Sequence, residues 1–166
     1  RPRRWGVPHQ RAGYPTPRGR CKSRDVPTCY LLAIALGSSL DQQSNNITLF
    51  NLVEQVNVPP GVSRGTRNLI PLEIHAYFRL TGDELRQPFE VRYVLVARTG
   101  LETYSDVTVL TSMSPRFRTR TFGVPFPPVP DQYDLRLEWR RSARDPWRRD
   151  PASWPLTITE QVPAPT

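Results

Sequence analysis

Nucleophilic catalysis needs a serine, cysteine or threonine beside a base, and bases are scarce in this sequence. The histidines are His9 and His75. His9 lies in a proline- and arginine-rich stretch that should be disordered. His75 sits in a run where apolar residues alternate with polar ones, which predicts an outward, solvated strand histidine rather than a triad member. Ser38 and Ser39 follow Gly37, but no G-x-S-x-G elbow surrounds them.

Metal and cofactor chemistry find equally little. Cys21 and Cys29 include no C-x-x-C and no second pair, so neither a zinc site nor a disulfide framework is expected, and Cys29 reads as a buried, inert thiol. The loop acids Asp41, Asp83, Glu84, Asp131, Asp145 and Asp150 contain no D-x-D of the kind that gathers calcium. Phosphate-cradling glycine loops fail to match, and no cofactor is expected. Glu73, Glu90, Asp134 and Glu138 lie on strand patterns among arginines, where cross-strand ion pairing is their default role. The expectation is a protein that is not an enzyme. Carboxylate-only hydrolysis stays open, because two acids at glycosidase spacing leave no local signature.

Two features suit binding instead. Arg116, Arg118 and Arg120 recur every second residue and so share one face of a strand, where they either guard an edge or meet phosphates or an acidic partner. From Trp139 to Arg149, five arginines lie among Trp139 and Trp147, a composition that can stack bases and track a phosphate backbone, or form a solvated loop around a locally packed Trp147. The long segment Asn57 to Asn68, with Pro-Pro-Gly and Arg-Gly steps that cannot continue a strand, adds Arg64 and Arg67 as further contact candidates.

These residues must be positioned by strands. Short period-2 segments separated by turn chemistry are expected at about Thr28 to Leu36, Ile47 to Val56, Leu69 to Leu80, Phe89 to Arg98, Glu102 to Thr111, Arg116 to Phe122, Tyr133 to Arg140 and Trp154 to Gln161. In the third, Leu72, Ile74, Ala76, Phe78 and Leu80 share the inward face. In the fourth and seventh, Phe89, Val91, Tyr93, Leu95 and Tyr133, Leu135, Leu137, Trp139 do the same. About eight strands without an amphipathic helix predict an all-β, two-sheet antiparallel sandwich of immunoglobulin or C2 type over residues 28–161. Proline-rich corners favour the sandwich over a closed barrel.

The 166 residues carry a net charge of +8, but eight basic residues against Asp25 in residues 1–27 hold +7 of it, leaving the folded body near neutral. That tail, with five prolines and three glycines, is expected to be disordered, and residues 162–166 form a short C-terminal tail. The apolar run from Cys29 to Leu36 is too short for a membrane span or a convincing secretory signal, so a cytoplasmic protein is expected. The chain begins on Arg1, and the expected native start is Val26, with the tail a non-native upstream extension.

The stretches DQQSNNITLFNLVEQVNVP, FEVRYVLV, FPPVPDQYDLRLEW and WPLTITE resemble a family of uncharacterised bacterial proteins, each a small β-sandwich domain of unknown function. The resemblance covers about residues 27–160, and the basic tail departs from it. It implies no catalytic residues. The expected function is a non-enzymatic binding or scaffolding module that engages a protein partner or itself. An arginine-rich nucleic-acid binder and an unrecognised hydrolase are the alternatives.

Overall fold

The computed structural model describes residues 27–59 and 68–161. The expectations for the two tails, Cys21, Arg64 and Arg67 lie outside the described residues. Ten strands occur among those described: β1 (Thr28–Asp41), β2 (Asn46–Leu52), β3 (Gln55–Val58), β4 (Leu69–Arg79), β5 (Phe89–Ala97), β6 (Glu102–Tyr104), β7 (Thr108–Leu110), β8 (Arg116–Pro125), β9 (Asp131–Arg140) and β10 (Arg148–Glu160). They form a four-stranded sheet in the order β2-β1-β4-β8 and a six-stranded sheet in the order β3-β10-β9-β5-β6, with β7 also pairing β5. All pairs are antiparallel except β3 with β10, which is parallel.

The sheets pack face to face into a β-sandwich because their inward positions are apolar at period two. Ile34 on β1 and Ile74 and Phe78 on β4 meet Leu95 on β5, Leu135 and Leu137 on β9 and Leu156 on β10 in one core. Phe78 stacks on Phe117 of β8 at 5.0 Å and meets Phe89 of β5 edge-on, joining the two layers at one side. Cys29 is buried as expected; burial, and then the nearby charge of Asp150, pushes the thiol up to about 12.

Ten strands replace the expected eight for two local reasons. The second segment divides where the chain changes sheets: Val53 N–H still donates to Ile34 O (2.9 Å), whereas Glu54 O accepts from Thr157 on β10 (2.7 Å). The indole N–H of Trp154 fixes this corner by donating to Val53 O at 2.8 Å. The fifth divides at Ser105, whose hydroxyl replaces a ladder acceptor by taking the Tyr93 N–H at 2.8 Å.

Prolines also end strands later than their chemistry suggests. Pro125 closes β8, an edge strand, where a missing N–H costs no ladder bond. Pro155 pairs with Asp134 on β9, but β3 begins only at Gln55 opposite Thr157, so the other side of Pro155 stands at an edge. β3 also takes in Asn57 and Val58, shortening the long connection at its start.

Candidate binding face

The outer face of the four-stranded sheet is built around β4. His75 stands opposite Ala33 of β1 and Arg120 of β8; Tyr77 stands opposite Leu31 and Arg118; Arg79 stands opposite Arg116. The arginine stripe therefore lies on a free edge, beside the polar face of β4.

β1 is far longer than its apolar run. It continues past Gly37 to Asp41 and returns as β2. The turn is set by Asp41, which accepts from Gln43 N–H (2.9 Å) and from the Ser44 hydroxyl, and by Asn45 at φ 55°, a left-handed conformation that asparagine tolerates. Those bonds hold the Asp41 carboxyl below its ordinary range. Asn45 then meets Arg118 on β8, three strands away from β2: its backbone oxygen accepts Nη1 (2.9 Å) and its side-chain oxygen accepts Nη2 (2.8 Å). The hairpin is thus bent back over the outer face.

This bend corrects the expectation for His75. It is fully buried rather than solvated, and so are Ala33 and Ala35, whose side chains belong to the same outer face. Alternation alone assumes that an outward face meets water; here a second layer of the same chain covers it.

Beneath the hairpin a small polar cluster forms. Glu73 Oε2 accepts the Ser38 hydroxyl at 2.7 Å and lies 3.0 Å from His75 Nε2. Arg120 Nη1 stands 3.5 Å from Ser38 Oγ and 3.8 Å from Glu73 Oε1. Burial works to raise the Glu73 pKa, but the bonds from Ser38 and His75 and the charge of Arg120 outweigh it, holding the carboxyl below its ordinary range. The other ring nitrogen, Nδ1, is buried without a hydrogen-bond partner among the described residues.

Two clefts flank Arg118. One of about 380 Å³ is lined by Leu40 and Ile47 of the hairpin with His75, Arg118 and Arg120. The other, of about 410 Å³, is lined by Tyr30, Asn45, Tyr77, Arg116 and Arg118. Tyr30 and Tyr77 meet edge-on there at 6.0 Å, and partial burial raises the Tyr77 hydroxyl above its ordinary pKa.

The outer face of the six-stranded sheet is arranged differently. Glu138, nearly buried, receives two bonds from Arg92 on one oxygen (2.7 and 2.9 Å) and two from Arg149 on the other (2.8 and 3.0 Å). Arg149 continues to Glu102 at 2.7 Å, and Arg140 pairs with Glu90 at 2.6 Å. Trp147 lies under the guanidiniums of Arg92 and Arg140, 4.2 and 4.3 Å from its ring centre. The Trp139 to Arg149 segment is therefore locally packed, with Trp147 and its arginines engaged with one another. The strand acids Glu90 and Glu138 are paired across strands, as their alternation with arginines predicts.

Other loop acids are structural. Glu84 is buried and caps a short 3₁₀ turn by accepting Thr81 N–H at 2.8 Å, with Arg141 at 3.6 Å. Asp150 is buried and accepts Cys29 N–H (2.9 Å) and Ala152 N–H (2.9 Å). Among the described residues no group of three or more His, Cys, Asp or Glu side chains gathers as metal ligands. No described helix is long and apolar enough to cross a membrane.

Of the candidate contacts, the structure brings Arg116, Arg118 and Arg120 together and places Trp147 on the opposite outer face. Sequence reasoning named Ser38 and Glu73 without joining them, and it missed Asn45 and the burial of His75. A usable signal was the pair of small outward residues Ala33 and Ala35, which leave room for a covering segment. No protein-family model matches the chain, and no curated protein matches it.

Proposed function

We propose that this protein is a non-enzymatic binding or scaffolding module that engages a protein partner across the outer face of its four-stranded sheet, with an extended acidic segment lying along Arg116, Arg118 and Arg120. The observation that carries this reading is the spacing of the stripe on a free edge strand. Residues two apart on a strand are about 7 Å apart on one face, the same repeat as alternate side chains of an added extended peptide. Acidic residues at every second position of such a peptide match the guanidiniums one to one, and carboxylates suit the arginine fork. The clefts beside Arg118 supply pockets for the flanking side chains.

A binding role is favoured over hydrolysis by the direction of the bonds in the cluster. Ser38 donates to Glu73 and His75 turns Nε2 to the same carboxylate, so the serine is not placed on a histidine base. A protein ligand is favoured over nucleic acid by the engagement of Trp147, the aromatic best placed by composition to stack a base. We further read the sandwich as immunoglobulin-like or C2-like, which the Tyr133 hydroxyl supports by donating back to Val129 O, four residues upstream, at 2.6 Å. The resemblance to uncharacterised bacterial sandwich proteins supports a bacterial, cytoplasmic setting.

Titration calorimetry with a peptide of alternating glutamate and threonine tests the proposal. Expected are salt-sensitive binding, loss of binding when glutamine replaces glutamate, and weakening of about tenfold or more in the double variant Arg116→Glu, Arg120→Glu. Equal binding of the glutamine peptide, or binding unchanged by the double variant, overturns it. Tighter salt-dependent binding of a single-stranded oligonucleotide at the same arginines would instead select the nucleic-acid reading.

A further inference from the structure

Free sheet edges expose unpaired backbone groups, and proteins guard them with charge, proline or brevity. Among the described residues three of the four edges follow this rule. β8 carries Arg116, Arg118 and Arg120 and ends in Pro125, whereas β3 and β6 are four and three residues long. β2 does not. It reads Asn-Ile-Thr-Leu-Phe-Asn-Leu over seven residues, without a charge or a proline, and is interrupted late, at Asn51 with φ 51°, which leaves residues 46–50 as its regular edge. Phe50 and Leu52 on it are 47% and 54% exposed, and Leu36 and Leu40 on the adjoining β1 are 58% and 51% exposed. An unguarded edge with an apolar margin is a template for another strand.

We infer that the β2 edge pairs antiparallel with β2 of a second copy of this chain, joining two four-stranded sheets into one continuous sheet across a two-fold axis. Self-pairing imposes a specific condition. In a two-fold antiparallel pair, every residue faces the same short stretch of its own sequence, so a strand that bears like charges repels itself. β8 fails that condition, since its arginines would meet arginines. β2 meets it over residues 46–50, because Asn, Ile, Thr, Leu and Phe carry no charge. The hairpin that contains β2 is braced from the other side by Arg118 on Asn45, which holds the strand in place before a partner arrives and lowers the ordering cost of pairing. Such a dimer sets the two arginine stripes on the far edges of the joined sheet. The inference rests on none of the stripe's own chemistry, so its failure leaves peptide binding untouched.

Sedimentation velocity of the full chain, from low micromolar to submillimolar concentration, tests this. The expected result is a reversible monomer–dimer equilibrium, weakened about tenfold or more in Phe50→Lys and in Thr48→Lys. Thr48→Lys covers the case in which Phe50→Lys perturbs folding, and far-UV dichroism with a thermal melt separates the two effects. Arg116→Glu is expected to leave the equilibrium unchanged. A chain that is monomeric throughout, or a dimer indifferent to both folded lysine variants, overturns the inference.

Discussion

The two outer faces of this sandwich are both rich in arginine, yet they spend it differently. On the six-stranded sheet, Arg92, Arg140 and Arg149 share the carboxylates of Glu90, Glu102 and Glu138 at 2.6–3.0 Å, with Trp147 packed among them. On the four-stranded sheet, Glu73 lies 3.8 Å from Arg120, and Arg116 has no ion-pair partner among the described residues. A closed charge network stabilises its own fold; an open one keeps interaction free energy for something else. The count of arginines does not separate a binding face from a structural one. The fraction already answered by carboxylates does.

If the six-stranded face is the structural one, removing its central acid should be the most damaging change. Glu138→Ala leaves Arg92 and Arg149 facing each other without the carboxylate that holds both, and about 3 kcal/mol of stability is expected to be lost, allowing for the partial exposure of both arginines. Urea unfolding measures it; a loss no larger than that of a typical surface pair would break the contrast between the faces. Next comes Trp147→Ala. It removes two cation–π contacts and the cover over the network, with an expected cost of about 1–2 kcal/mol and no change in affinity for an acidic peptide. A drop in peptide affinity would show that this face, too, binds.

Much of this contrast was legible in advance, and the missing part has a definite cause. Alternation over Leu72 to Leu80, Phe89 to Leu95 and Tyr133 to Trp139 placed the core correctly, because period two is a local property of a strand. The pairing of Glu90 and Glu138 with arginines was readable for the same reason, since cross-strand neighbours on one face need only the register. His75 was misjudged because its burial depends on a hairpin that starts at Gly37 and returns over β4, a tertiary event with no local period. The strand count failed at Ser105 and Val53, where one hydroxyl and one change of sheet interrupt runs that look continuous.

Acid sensitivity probes the faces more gently. The hydrogen bond from Tyr104 and then the pairing with Arg149 hold Glu102 below its ordinary pKa, and Glu73 is also lowered. A carboxyl whose folded pKa is depressed stabilises the fold above the unfolded value of about 4.3, and that contribution disappears as pH falls through the lower folded value. Wild-type stability is therefore expected to decline from about pH 5 downward. Glu102→Gln should flatten part of the decline on the six-stranded side and Glu73→Gln part of it on the other. Melting temperatures across the acid range check both; a slope unchanged in either variant assigns the acid limb to other groups.

The smallest effect on stability belongs to a residue of the proposed binding stripe. Arg116 has no ion-pair partner among the described residues, and a solvent-facing guanidinium contributes little to folding, so Arg116→Ala should shift unfolding by less than about 0.5 kcal/mol. The same substitution removes one of three evenly spaced cations from the stripe and is expected to weaken an alternating acidic peptide several-fold, with a shallower salt dependence. Glu138→Ala should give the reverse pattern, unstable but binding-competent at low temperature. Chemical unfolding and calorimetry on the two variants side by side form a double dissociation. If Arg116→Ala costs stability, its guanidinium is answered within the fold, and the stripe belongs with the closed network rather than the open one.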